Sequence, residues 1–275
     1  MDNGKIKSIT ISGYDLSYLV EGEGEPVLFI HGITTYSFIW RDMVPLLKDR
    51  YQVISLDLLG CGNSAKPLTT SYSLRSQAEL ISRFIVELGY DKVHIVGHDL
   101  GGGIGQILAV TNPELLIDLT LINSVGYDLW PVQPITVMRT PIIRQLAMAT
   151  LDLGALRYVV KRGMFHKDRL TDELMELFWE PLKSKSGRKA FLHFASCLDN
   201  RNLLDIEKEL RRLDLPVLII RGDADTYLSG AISEKLHQDI PHSSLVRIAS
   251  GGHFLHIDEP ELLVEKMLIL FNAHQ

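Results

Sequence analysis

Val96-Gly97-His98-Asp99-Leu100-Gly101-Gly102-Gly103 is the stretch on which the reading of the fold turns. An apolar, strand-like run, Val93-His94-Ile95-Val96, leads into it, and a helical segment, Gly105-Gln106-Ile107-Leu108-Ala109, leaves it. Glycines stand two residues before and two residues after Asp99. Small neighbours at that spacing let a strand turn sharply into a helix, so that the residue between them projects at the carboxyl end of a sheet. The amino end of the next helix sets backbone N–H groups beside that residue, which favours an anion. Two plainer readings compete: an Asp at a strand–helix junction is often a helix cap, and Gly-rich turns also cradle phosphates. The phosphate reading falls away. The chain has neither the Gly-x-Gly-x-x-Gly spacing with a following ribose acid nor a Gly-Lys-Ser/Thr loop, so no nucleotide cofactor is implied.

Outward from this turn, strands and helices alternate. Lys5–Ile11 and Asp15–Glu21 read as two short strands. Val27–Ile30, Val53–Leu56, Leu119–Ile122 and Val217–Ile220 are apolar throughout, as expected for strands covered by helices on both faces. Leu245–Ile248 is a weaker last strand. Trp40–Leu47, Ser73–Leu88, Gly102–Asn112 and Glu261–Phe271 carry helical spacing. The pattern predicts an α/β protein with a mostly parallel sheet. From Gly126 to Leu213 no strand-like run occurs, and short amphipathic helices fit around 141–150, 153–162, 171–179, 186–197 and 204–213. Thr171 before Asp172-Glu173 makes a good helix start. Nearly ninety residues are too many for a single crossover, so the expectation is a core of residues 1–125 and 214–275 carrying a helical cap over 126–213.

Composition narrows the partners. Lys and Arg total 28 against 34 Asp and Glu, a net charge of −6, which offers no basic footprint for nucleic acid or anionic lipid. No apolar run nears the roughly 20 residues that cross a bilayer. The first residues show no secretory signal, and two cysteines, Cys61 and Cys197, make no disulfide framework. A cytoplasmic protein with a small-molecule partner is expected. No His/Cys/Asp cluster has metal-ligand spacing, and the sequence is silent on oligomeric state.

Three further features fall in order around the Asp99 turn. Phe29-Ile30-His31-Gly32-Ile33 ends an early strand, and a His-Gly turn there aims the Ile33 N–H into the same crevice as the Leu100 N–H, a pair able to hold an oxyanion. Arg221-Gly222-Asp223-Ala224-Asp225 follows a late strand. Gly251-Gly252-His253-Phe254 lies in the loop after the last one.

With Asp57-Leu58-Leu59-Gly60-Cys61-Gly62-Asn63-Ser64 and Glu259-Pro260, these motifs resemble the α/β-hydrolase fold along essentially the whole chain. An aspartate at the elbow is similar to the haloalkane dehalogenase and epoxide hydrolase branch, whereas esterases, lipases and most other members of the fold carry serine. The resemblance implies a nucleophile at Asp99, a base at His253, and an acid at Asp225, with Asp223 as its rival. It implies an alkyl ester on Asp99 that activated water hydrolyses, with a small apolar halide or epoxide as substrate. The match fails where leaving groups are held. Leu100 stands where dehalogenases carry Trp, Ile33 where they carry Asn, and Thr34 where epoxide hydrolases carry Pro. Leu100 and Gly103 also replace the arginines of fluoroacetate dehalogenases. Two other readings stay open: an esterase, C–C hydrolase or lyase with Asp99 as base, and a non-catalytic ligand-binding protein.

Pocket candidates are His31, Tyr127, Trp130, Tyr158 and Phe254, with Met138, Leu146 and Phe165 as further facing residues of the cap. Tyr158 is a candidate acid for an epoxide oxygen, against a packing role. His31 and His98 also fit a role in turn geometry, and His256 is expected near the loop surface.

Overall fold

A computed structural model describes residues 6–131, 135 and 153–273. The expected helix at 141–150, with Met138 and Leu146, lies outside them. Eight strands form one sheet: β1 (Lys7–Ile11), β2 (Tyr14–Glu21), β3 (Glu25–Ile30), β4 (Tyr51–Leu56), β5 (Val93–Asp99), β6 (Leu116–Ser124), β7 (Val217–Gly222) and β8 (Ser243–Ile248). Their spatial order is β1-β2-β4-β3-β5-β6-β7-β8. β1 and β2 pair antiparallel, β2 meets β4 antiparallel, and all other neighbours are parallel. The doubly apolar runs have the cause expected from their sequence. Every residue of β5 is buried, and Val27–Ile30 of β3 have no exposure at all.

Helices α1 (Leu74–Glu87), α2 (Leu100–Thr111), α6 (Gly230–Asp239) and α7 (Pro260–Asn272) belong to the sheet's crossovers and its end. Three more, α3 (Leu153–Gly163), α4 (Asp172–Lys183) and α5 (Lys185–Cys197), fall between β6 and β7. The starts of α4 and α5 are set by hydroxyl caps: Thr171 Oγ1 accepts the Leu174 N–H at 3.2 Å and Ser184 Oγ accepts the Gly187 N–H at 2.9 Å. Phe178 of α4 lies edge-on to Phe38 and to Phe254, at 5.1 and 5.2 Å. That aromatic contact seats the inserted helices over the carboxyl ends of the strands.

Two expected helices are shorter than their spacing suggested. Trp40–Leu47 resolves into a 3-10 turn at Ser37–Trp40 and one helical turn at Val44–Leu47. The stretch 204–213 resolves into single turns at Arg201–Leu204 and Glu207–Leu210. In both, apolar residues at helical spacing face the core without forming a continuous helix. Among the described residues no helix is long and apolar enough to cross a membrane.

The parallel strands reverse direction of progress at β3, whose neighbours are β4 and β5. In open α/β sheets the carboxyl ends flanking such a switch make a crevice. At the opposite, amino end, the fully buried His94 has Nδ1 at 2.8 Å from Asp118 Oδ2 and Nε2 at 3.2 Å from Glu25 Oε2. Burial opposes the charged ring, but the two carboxylates outweigh it and raise the His94 pKa above the ordinary 6.5. Stabilisation from this charged ring is complete below about 6.5 and is lost as pH rises through the raised value. His94→Gln therefore lowers the thermal midpoint by several degrees at pH 6 and by clearly less at pH 9, as read by circular dichroism melts. A deficit that is constant or grows with pH contradicts this.

Candidate active site

Asp99 is the last residue of β5 and adopts φ +52° and ψ −116°. An L-residue with a side chain enters this region only where the surroundings force it. Here the force is close backbone packing. A Cβ at Gly97 would overlap the Gly101 carbonyl, and one at Gly101 would overlap the Ile30 carbonyl oxygen. The glycines two before and two after Asp99 are thus demanded by main-chain approach, and α2 begins at once at Leu100. The helix-cap reading of Asp99 does not hold, because its side chain makes no cap bond to α2. Asp99 Oδ2 instead accepts the Ile33 N–H at 3.0 Å, across from the adjacent strand β3. Gly32 allows this, since a Cβ there would collide with the Asp99 carboxylate.

Burial raises the Asp99 pKa above the ordinary carboxylate value, while the His253 ring and the Ile33 and Leu100 amides pull it back toward ionisation. The two amides singled out in the sequence thus converge on this carboxylate. A poorly hydrated carboxylate that meets two N–H groups among the described residues still has lone pairs with which to react.

His253 stands in the loop after β8, with Nδ1 at 3.1 Å from Asp225 Oδ2. Asp225 is buried and fully occupied. Its Oδ1 accepts the Tyr227 and Leu228 amides at 2.7 and 3.1 Å, and Oδ2 also accepts Arg221 Nη1 at 3.1 Å. Burial alone would raise the Asp225 pKa, but the His253 ring, Arg221 and the Tyr227 amide hold it below the usual carboxylate value. For His253 burial works against protonation, and Asp225 followed by Asp99 outweighs it, so the ring's pKa is raised. Asp223 points elsewhere, toward Arg247 Nε at 2.9 Å. Of the two rival acids, only Asp225 meets the ring.

A cavity opens over Asp99 and His253, with the mostly apolar walls usual for small-molecule sites. Its walls include Ile33, Leu100, Val125, Trp130, Leu228 and Phe254. Among the described residues the buried Trp130 indole Nε1 meets no hydrogen-bond partner. Tyr227 also lines the cavity, its hydroxyl donating to the Val159 carbonyl at 2.6 Å, and burial pushes its pKa up to about 12.

Trp130 and Phe254 therefore sit where the sequence put them, while three pocket candidates do not. His31 is wholly buried outside the cavity wall: Nδ1 donates to the Gly32 carbonyl at 2.7 Å and Nε2 accepts the Leu58 N–H at 3.0 Å. It ties the loop after β4 to the turn after β3, the turn-geometry role. Tyr127 is buried and donates to Asp239 Oδ2 at 2.9 Å, so its phenol is drawn toward α6 and away from the cavity. Tyr158 is 70% exposed on the outer face of α3 and is neither an acid in the pocket nor a packing residue. Phe165 is also largely exposed, and His256 is fully buried rather than near the surface. Tyr227 went unnoticed in the sequence, although it stands two residues after Asp225, on the loop that carries the acid. Among the described residues no group of three or more His, Cys, Asp or Glu could hold a metal ion.

Known proteins share this fold. A family model described as alpha/beta hydrolase fold matches residues 25–260. The chain is 35% identical to a soluble epoxide hydrolase of Corynebacterium sp. (strain C12), covering 95% of this chain and 95% of that protein. It is 24% identical to haloalkane dehalogenase 2 of Mycobacterium tuberculosis (strain H37Rv), over 93% of this chain and 91% of that protein. Among solved structures, a ligand-free epoxide hydrolase superposes with a TM-score of 0.88 at 21% identity, over 98% of this chain and 99% of the other. A variant of the meta-cleavage product hydrolase from Pseudomonas fluorescens IP01 superposes with a TM-score of 0.85 at 24% identity, over 98% of each chain. The likeness to these structures is one of fold, and the activities named are those of the relatives.

Proposed function

The chain belongs to the alpha/beta hydrolase fold family, and from that premise we propose that it hydrolyses a small apolar alkyl halide or epoxide through a covalent ester on Asp99. The observation that carries this reading is the elbow carboxylate, held at 3.0 Å by the Ile33 amide and sharing its cavity with the Asp225-backed His253. A serine at this place needs a base before it attacks, whereas a carboxylate already has its electron pair. Its fitting target is a saturated carbon with a leaving group.

In the first step the Asp99 oxygen that does not face Ile33 attacks that carbon. A C–O bond forms as the carbon–halogen or epoxide C–O bond breaks, and the electron pair leaves with the halide or alkoxide. In the second step His253 Nε2 takes a proton from water, and the hydroxide adds to the Asp99 carbonyl carbon. The Ile33 and Leu100 amides stabilise the resulting oxyanion. Collapse frees the alcohol, which takes the proton from His253, and leaves Asp99 as the acid; its proton, the second of the water, passes to solvent alongside a halide or back to the phenolate that protonated an epoxide oxygen, and the Asp99 carboxylate is restored. Asp225 holds the ring so that Nδ1 keeps its proton while Nε2 accepts one. The inserted helices α3, α4 and α5 serve as part of the cap that keeps bulk water from the ester.

The cavity wall carries two hydrogen-bond donors near the leaving group. The Trp130 N–H, which meets no acceptor among the described residues, can donate a hydrogen bond but cannot surrender its proton, which suits a halide. The Tyr227 phenol can give its proton to an alkoxide, which suits an epoxide. They replace the groups that Leu100, Ile33 and Thr34 do not provide.

Asp99→Ala abolishes turnover, and His253→Gln, treated with 1-bromohexane or 1,2-epoxyhexane, accumulates an alkyl adduct on the peptide bearing Asp99, as read by mass spectrometry. If neither probe leaves an adduct on the His253 variant, the ester reading fails. Tyr227→Phe lowers epoxide opening by roughly 100-fold or more, the scale of lost general-acid catalysis, and changes halide turnover little. Trp130→Phe acts in the opposite sense. Equal losses on both substrates in both variants contradict this division of labour.

A further inference from the structure

Asn123, the last residue but one of β6, is buried with φ +40°. Its position, between the loop that carries Asp225 and the loop that carries His253, is matched by its bonds. Its Oδ1 accepts the Gly222 N–H at 2.9 Å, where β7 passes into the acid loop. Its Nδ2 donates to the carbonyl oxygens of Gly252 at 2.8 Å and His253 at 3.0 Å. One carboxamide therefore spends its acceptor on one loop and both of its protons on the other. The His253 carbonyl has a second donor, His98 Nε2 at 2.9 Å, and the His253 N–H donates to the Gly163 carbonyl at 2.6 Å. The backbone of the base is thus fixed at both polar groups. Of these anchors, Asn123 is the one that also binds the acid loop.

We propose that Asn123 is the positioning residue that sets the register of the His253 loop against the Asp225 loop, and that it serves ester hydrolysis rather than ester formation. The second half rests on the ester mechanism proposed above; the first half does not. A positive φ costs free energy at any residue but Gly, with Asn among the least penalised. The carboxamide bonds offset that cost. Serine or alanine at this place would keep the strain and lose all or most of the clamp.

The variant that isolates the clamp is Asn123→Gly, which accepts φ +40° and removes the three bonds. Among the described residues, the titratable and charged groups around the His253 ring are Asp225, Asp99, Arg221, His98, His256 and Tyr227. Of these, Asp225 does most to hold the ring protonated, so any slippage between the two loops is read in the ring's own titration. By ¹⁵N-imidazole NMR, the His253 midpoint in Asn123→Gly moves down toward that of Asp225→Asn, while circular dichroism shows a folded protein. This readout needs no substrate and stands even if the ester mechanism fails. In single-turnover mass spectrometry with 1-bromohexane and 1,2-epoxyhexane, adduct formation changes less than about twofold. Adduct decay slows by roughly 10- to 100-fold, the scale of a sub-ångström to one-ångström misplacement.

A wild-type His253 midpoint in folded Asn123→Gly overturns the proposal. Equal slowing of formation and decay overturns its second half. Should Asn123→Gly not fold, Asn123→Ser, which leaves a polar group in the buried place, is read by the same two measurements and the same outcomes.

Discussion

The close passage of one main chain past another at the head of β5 governs this molecule. The Gly101 Cα lies so near the Ile30 carbonyl, and Gly97 so near the Gly101 carbonyl, that neither tolerates a methyl group. That proximity forces Asp99 into a left-handed conformation and aims its carboxylate across to the Ile33 amide. A side chain held by backbone geometry is placed before any ligand arrives. Preorganisation of that kind is what makes electrostatic stabilisation effective, because no reorganisation is needed when charge moves.

The rest of the site is a matter of bringing other loops to the same sheet edge. Parallel strands deliver their carboxyl ends to one side, so the turns after β3, β5, β7 and β8 meet there. Burying two aspartates and a histidine together would be costly without partners. The cost is met by an arrangement in which Arg221, two amides and the ring surround Asp225, and two amides and the ring face Asp99. The pKa directions follow from that difference. Asp225, with a guanidinium in contact, is held down; Asp99, with none, is driven up by burial.

Much of this was legible in the sequence for a physical reason. Positions where the backbone must turn sharply or pass close leave glycines behind, so Gly97, Gly101, Gly32 and Gly252 mark the loops unambiguously. Doubly apolar runs mark the buried parallel strands. Side-chain direction leaves no such mark. Nothing local distinguishes Tyr127, drawn to Asp239, or Tyr158, on the outer face of α3, from Tyr227 on the cavity wall. His256 is buried because Trp40 and His98 enclose it, at ring distances of 5.1 and 4.5 Å, and both are distant in sequence. Asn123 carries no motif at all: its three bonds exist only once β6, β7 and the loop after β8 are side by side.

The deciding property of the site is which atom water attacks. With enzyme in excess over substrate and the reaction run once in ¹⁸O-water, hydroxide adds to the Asp99 carbonyl carbon and the product takes its new oxygen from the protein. The label is then found in the Asp99 side chain and is absent from the alcohol or diol of that first turnover. Label in the first-turnover product, with an unlabelled Asp99 peptide, would mean that Asp99 steers or deprotonates water without ever being alkylated.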